Sequence, residues 1–127
     1  MKIKTLVCNC KGLDPFRYAD TNTLPFEIES ELDVTYASMH PQLCAQGGID
    51  FLQDVLKSAE DDSDTYVMVC ACDGDTQRKL FNKALRNTEF DDKHFVPVDI
   101  RNATNDGILE RIRERILELT DPGRQPH

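Results

Sequence analysis

Four of the five cysteines fall in two Cys-x-Cys pairs, each at the end of an apolar run. In "KTLVCNCKG", Cys8 and Cys10 follow Val7 and lead into a Lys11-Gly12 turn. In "YVMVCACDGD", Cys70 and Cys72 follow Val69 and lead into Asp73-Gly74. Cys44 stands alone between them, in a loop just ahead of Gly47 and Gly48. Thiolates gathered at one place can ligate zinc or an iron–sulfur cluster, and a close pair can run dithiol redox chemistry. An odd count suits four ligands and one bystander.

The rest of the composition narrows the setting. A chain of 127 residues is most simply one domain with a core of its own. Its net charge of -8 argues against binding nucleic acid or an anionic membrane, which needs clustered Lys and Arg. No apolar run approaches the ~20 residues that cross a bilayer, so no membrane insertion is expected. The apolar stretch of "MKIKTLVCNCKG" is too short for a signal peptide and lacks a small-residue cleavage site. A cytoplasmic location is therefore expected, where thiols stay reduced and structural disulfides are rare. Metal or redox chemistry explains the cysteines better there.

The elements that must position the thiols can be read from periodicity. Lys2 to Val7 predicts a first strand and Asp33 to Ser38 a second, with "MHPQLCAQGG" as a loop. Between them, Pro15, Pro25 and several polar residues leave room for no more than a short helix near "PFRYAD". "GGIDFLQDVLKSAED" predicts a helix, with Ile49, Leu52, Val55, Leu56 and Ala59 on one face. "DTYVMVCA" reads as a fully buried strand. "GDTQRKLFNKALRN" reads as a helix capped by Asp73 or Asp75, with Leu80, Phe81, Ala84 and Leu85 inward. "HFVPVDI" is the last strand, where Pro97 requires an edge position or a bulge. A final amphipathic helix carries Leu109, Ile112, Ile116 and Leu119 and stops at Pro122-Gly123.

Strands alternating with helices predict an α/β fold: an open, mostly parallel four-stranded sheet of the Rossmann or flavodoxin-like kind, flanked by about three helices. Residues 1–122 are expected to form that domain, and 123–127 a flexible tail. Right-handed crossovers put all strand C-termini on one rim, where ligands bind at the point of strand-order reversal. All five cysteines then fall on that rim. Side chains at i and i+2 share a face, so Cys8 and Cys10 can point together, and the turn after Cys10 lets it bend toward a metal. Cys70 lies deeper in its apolar run and reads as a packed core thiol, whereas Cys72 sits at the strand's mouth. The expected ligands are Cys8, Cys10, Cys44 and Cys72. The residues alone leave a 4Fe-4S cluster, zinc and plain reduced thiols open. Gly47 and Gly48 would let backbone N–H groups approach sulfur, or simply open a helix. Arg101, past the last strand, would face the cluster's charge or a partner's carboxylate, or solvent.

The segments "VCNCKG", "LCAQGG", "CACDGDTQRKLF" and "VDIRN" together resemble the N-terminal iron–sulfur domain of heterodisulfide reductase A and its bacterial relatives. In that family Cys-x-Cys-Gly follows the first strand, and a Cys ahead of Gly opens the next helix. An Ala-Cys-Ser-Pro-like segment ends a strand, and Asn-Ile-Arg-Glu follows the last one. Cys8, Cys10, Cys44, Cys72 and Val98 to Asn102 match these places in order, and Cys70 falls where the family has a small residue. The resemblance covers Lys2 to about Asn102. It implies a non-standard 4Fe-4S site in a domain that carries electrons within a larger redox complex of flavin or iron–sulfur subunits. Electrons must enter and leave through contacts, so a homodimer or a larger complex is expected. Lys11 before Gly12 and Asp73-Gly74 in place of Ser-Pro depart from the pattern. No GxGxxG fingerprint or ferredoxin cysteine run is present, so heterodisulfide reduction itself does not carry over.

The expectation is thus an electron-transfer subunit rather than an independent enzyme. Its rivals are a metal-free redox protein or sensor using Cys70 and Cys72, and a zinc-binding scaffold subunit. His40 reads as a solvated loop residue, and "DDSD" (Asp61 to Asp64) as a helix-to-strand turn. His94, opening the last strand, and His127 in the tail take no role.

Overall fold

The structure, a computed structural model, describes residues 1–8 and 14–120. Strand β1 spans Lys2–Cys8, β2 Tyr36–His40, β3 Thr65–Ala71 and β4 Phe95–Asp99. They form one sheet in the order β2-β1-β3-β4. All three pairings are parallel. Helices α1 (Leu24–Glu31), α2 (Gln46–Ala59), α3 (Gly74–Arg86) and α4 (Asn105–Thr120) connect and cover it.

The core divides by face, as the two-residue alternation of strands requires. On one face Ile3, Val7, Met68 and Cys70 pack with Leu24 and Ile28 of α1 and Ile108, Leu109 and Ile112 of α4. On the other, Leu6, Cys8, Val67, Val69 and Ala71 pack with Leu52, Val55 and Leu56 of α2 and Phe81, Ala84 and Leu85 of α3. This is the open α/β architecture the periodicity predicts. The chain winds outward from β1 to β2 and then back across to β3. The strand order therefore reverses between the C-terminal ends of β1 and β3, which is where such sheets open a ligand crevice.

Pro97 lies in β4, an edge strand, paired with Val69. Ile100 N–H donates to Ala71 O at 3.0 Å. The alternation of a parallel ladder then turns the N–H of residues 98 and 100 toward β3 and leaves the Pro97 nitrogen on the free edge. The missing donor costs no ladder bond.

Among the described residues four α-helices cover the sheet rather than three. The additional one, α1, is only eight residues long and tolerates Pro25 because that residue occupies its first turn, where an N–H has no intrahelical partner. Just two of its residues, Leu24 and Ile28, are buried, one turn apart. Near "PFRYAD" a single turn of 3-10 helix, Asp14–Phe16, is found instead of an α-helix. Strand β2 begins and ends later than expected, and takes in Met39 and His40. In α3, Leu80 is exposed, and the inward stripe is Gln77, Phe81, Ala84 and Leu85. Asp73 is the N-cap, accepting from Thr76 N–H at 2.9 Å. The expected helix stop at Pro122-Gly123, the domain end at 122 and the tail lie outside the described residues. Among the described residues no helix is long and apolar enough to cross a membrane.

Candidate thiol site

The loop from β2 to α2 folds over the end of β1. His40 pairs with Cys8 across the sheet. The following turn is drawn back when Gln42 N–H donates to His40 Nδ1 at 3.0 Å. The His40 ring stacks on Phe51 of α2, with centroids 5.7 Å apart. This histidine therefore braces the loop rather than standing solvated in it. Held in this way, the loop brings Leu43 N–H to 3.4 Å from Cys8 Sγ and Gln42 Nε2 to 3.6 Å from Cys44 Sγ. Sulfur accepts weakly and at long range, so these are modest contacts with a clear direction: N–H groups face two thiols.

Gly48 makes the fold-over feasible. A Cβ at this position would lie 2.3 Å from Gln42 O and 2.4 Å from Leu43 Cα. Both obstacles are backbone, so nothing can swing aside. Gly47, by contrast, has nothing within 4 Å of its Cβ position. Of the two glycines only Gly48 is needed for packing, and what it approaches is the loop's backbone. Beside the expectation that the two glycines let backbone N–H groups approach sulfur, Gly48 has a steric role of its own.

Cys44 and Cys72 occupy equivalent places, each one residue ahead of a helix N-cap: Ala45 for α2 and Asp73 for α3. The N–H groups of a first helical turn have no intrahelical acceptor, and the helix dipole is positive there. Cys8 belongs to the α2/α3 side of the sheet, with Cys44 packed against the same cluster. Cys72 packs against the α1/α4 side. The thiols thus reach the crevice from opposite faces, at the point where the strand order reverses.

The Cys72 thiol is pushed up by its partial burial first, then by the nearby Cys8 and Cys44 thiols and by Asp73, while Arg101 draws it down. Two other thiols, from two separate stretches of chain, are therefore within electrostatic reach of Cys72. Ligating contact is a stricter condition. Among the described residues, no group of three or more His, Cys, Asp or Glu side chains is close enough to hold a metal ion. Cys10, the fourth expected ligand, lies outside the described residues, as do Lys11 and Gly12. Cys70 is fully buried in the core, and burial pushes its thiol up to about 12. At neutral pH it is a protonated packing group and a poor nucleophile.

Arg101 is fixed beside Cys72 by carboxylates. Its Nε and Nη2 donate to the two Asp99 oxygens at 3.0 and 2.9 Å, and Nη2 lies 3.5 Å from Asp73 Oδ2. Arg111 Nη1 closes the turn from below, donating to Asp99 O at 2.7 Å. Asn102, with φ of 58°, takes the left-handed conformation in which Asn is enriched, and so reverses the chain after Arg101. The Arg101 fork holds Asp99 below its ordinary carboxylate value. A depressed carboxylate contributes stability above its unfolded pKa, about 3.9, and that contribution fades as pH falls further. The melting temperature should accordingly fall more steeply between about pH 5 and about pH 3 in the unaltered protein than in Arg101→Met. Equal slopes would show that the fork carries no stabilising charge interaction.

Outside this rim, an open groove of about 670 Å³ runs between β4 and α4, lined by Asp99, Arg101, Glu110 and Arg111 among others. None of the described thiols lines it, so the site is identified by its donor atoms and not by this hollow. His94 sits at the opposite rim, stacked on Tyr66 and hydrogen-bonded through Nδ1 to Thr65 O. The chain matches no protein-family model and no curated protein.

Two residues at the site, Gln42 and Gln77, are not among those expected from the sequence. Gln42 carries no flag in a polar loop. Gln77 does carry one: it falls four residues before Phe81, on the inward stripe of a helix, where an apolar residue is the rule.

Proposed function

We propose that this chain is a small electron-transfer protein that binds one non-standard 4Fe-4S cluster through Cys8, Cys10, Cys44 and Cys72. It works as a cytoplasmic partner or component of a larger flavin or iron–sulfur oxidoreductase, in the manner of the heterodisulfide reductase A N-terminal domain that its motifs resemble. The observation that carries the reading is that Cys8 closes β1 while Cys44 and Cys72 each stand one residue ahead of a helix N-cap, so thiols from three separate segments come to the same end of the parallel sheet.

The donor set suits the group. Thiolates are the ligands that iron–sulfur clusters take, and two of these sit at helix N-termini, where negative charge is stabilised. N–H groups from Leu43 and Gln42 face the sulfurs of Cys8 and Cys44, and donors on sulfur raise a cluster's potential. Arg101, anchored by Asp99, would offset the cluster's negative charge on the Cys72 side. One-electron chemistry is what a cluster supplies when bound; the chain's own residues ligate it, shield it from water and set its potential. The Cys70–Cys72 dithiol alternative is disfavoured because Cys70 is buried and protonated.

Anaerobic reconstitution with iron and sulfide tests the proposal. The expected product is brown, its visible absorption bleached by dithionite as an EPR signal from the reduced cluster appears. A colourless protein that retains zinc would support a scaffold. A metal-free protein that cycles a disulfide would support the thiol alternative. Either result overturns the cluster.

A further inference from the structure

Gln77 is completely buried, yet nothing in the cluster reading assigns it a purpose. Its Nε2 lies 2.8 Å from Cys72 O, 3.0 Å from Val69 O and 3.3 Å from Val98 O. Two amide hydrogens are thus shared among three carbonyls, from inside β3, from just beyond its end, and from β4. The amide orientation follows from this, since the opposite one would set Oε1 against three carbonyl oxygens. Its own Oε1 is buried without a hydrogen-bond partner among the described residues. Burying an unpaired amide oxygen is costly, and most buried polar atoms avoid it. A leucine or methionine would fill the same position on the inward stripe without that cost.

What the amide accomplishes is local to Cys72. The Cys72 carbonyl points inward past the end of β3, and Gln77 holds it there. The next residue, Asp73, is fixed in turn by its cap bonds to Thr76 N and Oγ1, both at 2.9 Å. With its carbonyl pinned on one side and the α3 cap set on the other, the Cys72 peptide has little freedom to rotate. Its Cα–Cβ bond then keeps one direction. The tie to Val98 O holds β4 to the same point, and β4 carries the Asp99 and Arg101 fork.

We propose that Gln77 is a positioning residue for the thiol site: its buried amide fixes the backbone of Cys72, so that the thiol faces the crevice shared with Cys8 and Cys44. This rests on the site reading above and adds to it a residue that touches no ligand atom.

Gln77→Met keeps length and approximate volume and removes the amide. In the metal-free protein, iodoacetamide labelling followed by mass spectrometry reads each thiol separately. The expected result is a change in the Cys72 rate of about fivefold or more, the scale of a lost hydrogen bond, with Cys44 unchanged and Cys70 unreactive. Equal rates in variant and unaltered protein, or a rise shared by all the thiols, would overturn positioning and leave only a packing role. In the iron-loaded protein, the variant should retain its iron but show shifted EPR g-values; identical g-values would count against the proposal. If the unaltered protein takes up no cluster, the functional reading fails, and the labelling comparison still decides the role of Gln77. Should Gln77→Met not fold, the unaltered protein provides the measurement. By NMR, Gln77 side-chain amide protons should exchange with solvent more slowly than those of exposed Gln46; equal exchange would overturn the proposal.

Discussion

Alanine at Cys44 should abolish stable iron binding, while alanine at Cys70 should leave the iron content unchanged. The contrast follows from where the two sulfurs are. Cys44 lies ahead of the α2 N-cap with Gln42 Nε2 facing its sulfur, and it helps push up the Cys72 thiol. Three thiolates can leave one iron of a cluster unprotected, and the remaining site would lose its link to the β2–α2 loop. Cys70 is sealed between the sheet and the α1/α4 layer. Its removal should cost only the small cavity of a missing sulfur, about 1 kcal/mol in stability. Iron analysis of both variants, purified anaerobically beside the unaltered protein, checks the pair. Loss of iron in Cys70→Ala would transfer the ligand role to the buried thiol.

Gly48→Ala should destabilise the fold by about 3 kcal/mol, lowering the melting temperature by more than about 10 °C. The added methyl would meet Gln42 O, Leu43 Cα and Leu43 O, all closer than 3 Å. To relieve that, the loop must lift from the first turn of α2, and it would carry Leu43 N–H away from Cys8 and Cys44 away from the crevice. The same variant should therefore weaken iron binding as well as stability. Gly47→Ala is the control. Its Cβ meets nothing, and alanine suits a helix better than glycine by about 0.5–1 kcal/mol. Thermal melts that show both substitutions to be neutral would contradict the close approach of loop and helix.

Much of the framework could be read before folding, because its signals are local. Continuous apolar runs marked β1 and β3, and the 3.6-residue stripes of α2 and α4 marked their buried faces. Pro97 pointed to an edge, and β4 is one. The short helix α1 was not legible, since two buried residues one turn apart do not make a stripe and Pro25 argues against a helix unless its place in the first turn is known. Hydrophobicity alone points Leu80 inward, yet it is exposed. The helix instead turns Gln77 inward, because the carbonyls that need its amide come from distant strand positions that no sequence window contains. The rim position of Cys8, Cys44 and Cys72 followed from parallel topology. Their arrival from opposite faces did not, as it depends on which strands flank the reversal. Nor could spacing show that Gly48 admits the loop backbone, since that contact is tertiary.

Quantifying iron and acid-labile sulfide in anaerobically purified protein tests the central claim most directly. The proposed cluster, held by Cys8, Cys10, Cys44 and Cys72, predicts about four irons and about four sulfides per chain. A protein that folds, reconstitutes under iron and sulfide, and still contains neither would contradict it.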